Sequence, residues 1–73
     1  MINIKKIQEL IGKYVKVGVE HYDYKSRLFY YSGLLVKVDD FEITLDIGQG
    51  IRIIPVQELK LIQRISKEEC KLI

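Results

Sequence analysis

The paired carboxylates Asp39 and Asp40, the single histidine His21 and the single thiol Cys70 carry the acid–base and nucleophilic potential of this chain. None is well placed to use it. Neighbouring carboxylates on one short segment point in different directions, and aspartate in a turn characteristically accepts hydrogen bonds from its own backbone. His21 has no cysteine, serine or second carboxylate at catalytic spacing, so it reads as a surface residue rather than a base. With one histidine and one cysteine there is no set of soft ligands at metal spacing. The expectation is therefore a non-enzyme with no metal and no cofactor. The chemistry left is stacking and charge. Phe41 follows the aspartates at a turn, where an aromatic is either a platform for a base or a plug over the end of the core. Tyr22, Tyr24, Tyr30 and Tyr31 interleave with Lys25 and Arg27, the composition of a surface for single-stranded nucleic acid. The same tyrosines also suit strand packing and subunit contacts. Lys5, Lys6 and Lys13 are candidate phosphate contacts, or simply the solvated side of an amphipathic helix.

The elements that must hold these residues are legible from periodicity. Asn3 can cap a helix over about residues 3–11, in which Ile4, Ile7, Leu10 and Ile11 share one side, and Gly12 stops it. From Tyr14 the period becomes two, with Val15, Val17 and Val19 on one face. A polar interruption around Asp23 to Ser26 joins this strand to a second, from about Arg27 to Val38, with Ser32-Gly33 in its middle where a strand can bend sharply. A third strand is expected over Glu42 to Ile47 and a fourth over Ile51 to Ile54, joined by Gly48-Gln49-Gly50, in which either glycine can take positive φ. Pro55 ends the fourth strand and Val56-Gln57-Glu58 make a single turn. Residues 59–65 read both ways. Val56, Leu59, Ile62 and Ile65 recur at helical spacing while Leu59-Lys60-Leu61 alternates, and the strand is preferred because four strands would leave a barrel open. Ser66 and Glu69 have capping-box spacing, which predicts a short helix in the tail carrying Cys70, Leu72 and Ile73.

Seventy-three residues make one domain, here residues 1–73, with strands over about 14–65 and a tail at 66–73. A chain this short has a marginal core unless something reinforces it. Disulfide and metal staples are both missing from the pattern, so self-association is the expected reinforcement. A hydrophobic share of 48% with 30% charged residues describes a globular chain rather than a disordered one. The net charge of +2 does not by itself announce a nucleic-acid binder. Its distribution is uneven, with lysines early and Asp39, Asp40, Glu42 and Asp46 in the centre. No segment has the length of a membrane span and no signal-peptide pattern opens the chain, so a cytoplasmic protein is expected.

The run from Gly33 to Leu45 resembles the first sequence motif of the Sm-like proteins: an apolar strand through a glycine, a stop at aspartate, and an immediate second strand. The match is strongest to the Hfq branch, with Asp39, Phe41, Ile43 and Leu45 at the corresponding positions. The resemblance implies a mainly β fold, a short N-terminal helix followed by a five-stranded, strongly bent antiparallel barrel of Sm-like or SH3-like type. It further implies a homo-oligomeric ring that binds single-stranded RNA, with Phe41 stacking on a base near the pore and Asp39 closing the second strand. In such a ring the fourth and fifth strands of neighbours pair edge to edge, which nominates Ile51, Ile53, Ile54, Leu59 and Leu61 for the interface. The second Sm motif differs here. Ile53-Ile54-Pro55-Val56 stands where the family carries its histidine or arginine, so Phe41 would stack without the customary hydrogen bonds. The alternative is a non-enzymatic SH3-like module that joins another protein through its tyrosines and strand edges.

Overall fold

Asn3 opens the only α-helix among the described residues by accepting a 2.9 Å hydrogen bond from the backbone N–H of Lys5. The computed structural model describes residues 3–21 and 27–70. Helix α1 runs Ile4–Gln8, shorter than the periodicity predicts. Beyond Gln8 the chain tightens, with Ile11 N–H donating to Gln8 O and Lys13 N–H to Leu10 O, both three residues back. Gly12, at φ 88°, then turns the backbone into the sheet. This tightening rotates the side chains, so Ile7 is buried and Ile4 and Leu10 pack on the core while Ile11 is exposed.

Five strands follow: β1 (Tyr14–Glu20), β2 (Leu28–Val38), β3 (Glu42–Asp46), β4 (Ile51–Pro55) and β5 (Leu59–Arg64), with a 3-10 turn at Val56–Glu58 before the last. They form one antiparallel sheet in the order β4-β3-β2-β1-β5. Residues 59–64 are thus strand, and the helical spacing there is incidental to it. The strand pairs with β1 rather than with β4, so the sheet is not closed and both outer strands keep a free edge. Adding the fifth strand therefore does not complete the expected barrel, because β4 and β5 lie at opposite ends of the strand order.

The alternation of β1 fixes which face is inside. Val15, Val17 and Val19 are fully buried, opposite Gly33, Tyr31 and Phe29 of β2. Leu35, Ile43 and Leu45 complete the same layer at zero exposure. One five-residue helix cannot cover such a face, so the sheet must curl over it. Three irregularities permit the curl: a register shift between Leu35 and Lys37, a second between Gly18 and Val19, and the crossing at Gly33. A Cβ at Gly33 would lie 2.5 Å from the carbonyl oxygen of Asp46. The strand that follows β2 therefore passes where a side chain would stand.

The two turns around β3 are built from aspartates. Asp39 accepts from the N–H groups of Phe41 (2.8 Å) and Glu42 (2.9 Å). Asp46 accepts from Gly48 N–H at 2.9 Å while Gly48 itself takes φ 91°, which places the positive φ of this hairpin on its first glycine. In the tail, Ser66 and Glu69 form the reciprocal box, Ser66 N–H donating to Glu69 at 3.0 Å and Glu69 N–H to the Ser66 hydroxyl at 3.2 Å. What it encloses is a turn rather than the predicted helix, and Cys70 at its end is buried. Leu72 and Ile73 lie outside the described residues.

Candidate functional site

Asp39 builds the most exposed aromatic of the described chain. By holding the N–H groups of Phe41 and Glu42 it closes the β2–β3 connection in so few residues that Phe41 cannot fold back onto the core. Its ring is 82% exposed. The plug alternative is thereby set aside. The Asp39 carboxyl is held below the usual carboxylate range, chiefly by the Phe41 N–H, then by that of Glu42, with a smaller contribution from the charge of Lys37. Phe41 O also accepts from Val56 N–H at 2.9 Å, tying this turn to the start of the 3-10 segment.

Beside that tie lies a groove of about 800 Å³. Phe41 and Asp40 form one wall, Pro55, Val56 and Gln57 another, and Ile4 of α1 with Leu59 and Lys60 of β5 complete it. The lining is largely apolar, with the carboxylate of Asp40, the amide of Gln57 and the ammonium of Lys60 as its polar groups. Asp39 is spent on its turn. Asp40 is exposed and, among the described residues, takes part in none of the side-chain hydrogen bonds or ion pairs.

Of the residues nominated for nucleic acid, the structure brings only Phe41 into the groove, with Asp39 shaping it from beneath. Lys5 and Lys6 are exposed on α1, beside Ile4 that lines the groove. Lys13 is exposed beyond Gly12, its carbonyl accepting from Leu35 N–H. Arg27 stands over the Phe29 ring at 5.4 Å, away from the groove's lining. Tyr24 and Lys25 lie outside the described residues. Asp40, Gln57 and Lys60 were not nominated for RNA, although Asp40 was weighed as an acid–base group and the residues around Pro55 were expected beside Phe41 at the pore. The adjacency of Asp40 to Phe41 was the available signal, whereas nothing local brings residues 57 and 60 to that turn.

A second cluster gathers around His21. His21 sits with Nδ1 3.4 Å from Glu58 Oε1, Nε2 3.3 Å from the Tyr31 hydroxyl and its ring 4.9 Å from that of Phe29. The Arg52 guanidinium lies 4.2 Å over the Tyr31 ring, bridging β4 to β2 across the concave face. Its Nε is buried with no hydrogen-bond partner. His21 is thus more than a surface residue. It joins the end of β1 to β2 and to the 3-10 turn, and Tyr31 packs inward, as the structural alternative for the tyrosines supposed. Tyr30 instead faces out, 54% exposed with Lys16 Nζ 5.0 Å from its ring centre.

At the edges, Ile51 and Ile53 of β4 are 61% and 56% exposed, and Leu61 of β5 is 38% exposed. Ile54 and Leu59 are different. Both belong to the buried core, so they bring only backbone to their edges and their side chains cannot serve an interface. Their register opposite Ile43 and Val19 turns them to the concave face. No helix of the described chain is long and apolar enough to cross a membrane. No protein-family model, no curated protein and no solved structure matches this chain.

Proposed function

We propose that this chain is an Sm-like, RNA-associated binding protein that assembles into a homo-oligomeric ring and holds single-stranded RNA on Phe41. The single observation that carries the reading is an aromatic ring left 82% exposed by a turn built to present it, at the lip of an apolar groove. Exposing a phenyl ring forfeits the burial that a small domain needs most, and a stacked base returns it. The edges support assembly. A free β4 with two exposed isoleucines and a free β5 with Leu61 are a liability in a lone subunit, and pairing β4 of one copy with β5 of the next would cover both and close the ring. Lys5, Lys6 and Lys60 would then supply the phosphate contacts around each groove. The same exposed edge favours the second reading, an SH3-like module whose strand edges capture another protein.

Light scattering combined with filter binding to oligo-U and oligo-A at two salt concentrations separates these. The expected result is a discrete oligomer whose RNA affinity falls as salt rises, and in which Phe41→Ala binds about tenfold more weakly, as the loss of one stacked base requires. A monomer that ignores both oligomers overturns the RNA reading. A ring that ignores RNA transfers the function to protein interaction.

A further inference from the structure

We infer that the Phe41 groove selects guanine over uracil, with Asp40 as the residue that makes the distinction; this rests on the RNA reading above. The two aspartates that precede the stacking ring differ in their hydrogen bonding. Asp39 is committed to the N–H groups of Phe41 and Glu42, whereas Asp40 lines the groove with its acceptor capacity unspent among the described residues. An ionised carboxylate only accepts, and its two oxygens fit two parallel donors. Guanine alone among the four bases presents two neighbouring donors, N1–H and the N2 amino group, on its Watson–Crick edge. Cytosine and adenine each offer one amino group beside a ring-nitrogen acceptor. Uracil offers one N3–H flanked by two carbonyl oxygens that a carboxylate repels.

The rest of the groove agrees with this choice. Gln57 carries an amide that can donate to guanine O6, next to the carboxylate's pair of contacts on the same edge. Lys60 offers the cation that an incoming phosphate needs in order to approach a site that also holds a negative charge. Unpaired bases expose these edges freely in single-stranded RNA, where stacking on an aromatic and hydrogen bonds to the edge act together.

The test uses short oligo-U strands in which one central residue is U, A, C, G or inosine, titrated against the native protein and Asp40→Asn. One good bidentate contact should favour the G strand over the all-U strand about tenfold, with A and C between. Inosine, which lacks the N2 amino group, should lose most of that advantage. Asp40 is exposed and outside the turn's hydrogen bonds, so Asp40→Asn should stay folded and bring the ratio of G-strand to all-U affinity close to one. Equal affinity for all five strands, together with a loss on Phe41→Ala, would overturn the guanine assignment and leave the stacking site standing. A preference for G that survives in Asp40→Asn would also overturn it. Failure of every strand to bind would instead remove the RNA reading itself.

Discussion

The concave face of the sheet and its rim are made of the same kinds of residue and treat them in opposite ways. Ile43 and Leu45 of β3 are fully buried, while Ile51 and Ile53, one strand away, are more than half exposed and Phe41 more exposed still. The pairing explains it. Ile43 stands opposite Ile54, and the inward parity of that pair sends Ile51 and Ile53 outward. An apolar residue on the inward parity contributes to folding, and the same residue on the outward parity of an edge strand is available to whatever docks there. Hydrophobicity alone therefore does not separate buried from exposed positions in this chain.

The sharpest way to break the comparison is to truncate equivalent side chains on the two faces. Ile43→Ala should cost about 4 kcal/mol, because a zero-exposure site between β2 and β4 leaves a cavity that the sheet cannot collapse. Phe41→Ala should leave the unfolding free energy within about 0.5 kcal/mol of the parent in the same urea titration at fixed protein concentration. Comparable losses for both would show that Phe41 is part of the core.

The next effect probes how the sheet curls. Gly33→Ala would set a methyl group against the Asp46 carbonyl, backbone that cannot move aside by changing rotamer, and should destabilise by about 2 kcal/mol. At Gly18 the nearest atoms belong to the Leu61 and Tyr30 side chains at 3.2 and 3.3 Å, so Gly18→Ala should be tolerated better. Chemical denaturation of the two variants side by side decides it, and the reverse order would contradict the crossing at Gly33.

The smallest effect concerns pH. Asp39 and Glu69 are both held below their ordinary values, Asp39 chiefly by the Phe41 N–H and Glu69 chiefly by the Ser66 N–H. A depressed carboxylate favours the folded state above its unfolded pKa and loses that contribution as pH falls through its lower folded value. Stability should accordingly decline on acidification below about pH 4. Asp39→Asn keeps an acceptor oxygen but has no proton to gain, so the gap between it and the parent should narrow from about pH 6 to about pH 3. A gap that stays constant would mean that the turn does not depend on the charge.

Much of this architecture was readable because its causes are local. The Asn3 cap, the Asp39 turn, the positive φ at a glycine after Asp46 and the Ser66–Glu69 box each involve atoms two or three residues apart, so residue type and spacing settle them. The alternation of Val15, Val17 and Val19 declared the inner face of β1 for the same reason. The helix end misled: Ile11 fits a helical stripe, yet the chain tightens after Gln8 to reach the sheet, and the pairing of Gly12 and Lys13 with Leu35 outweighs another helical turn.

By itself, then, the sequence determined to within about a residue where β1 to β4 begin, the turns on either side of β3 and that an aromatic would follow the paired aspartates, while the connection expected at Asp23 to Ser26 lies outside the described residues. Tertiary structure alone decided that β5 lies against β1 and leaves two free edges, that Ile54 and Leu59 face inward, that Arg52 reaches Tyr31, and that Gln57 and Lys60 meet the Phe41 turn. The reason is range. Turn chemistry is fixed by neighbours along the chain, whereas these juxtapositions depend on how far the sheet curls, which is set by the close crossing at Gly33 and by two register shifts that no local pattern specifies.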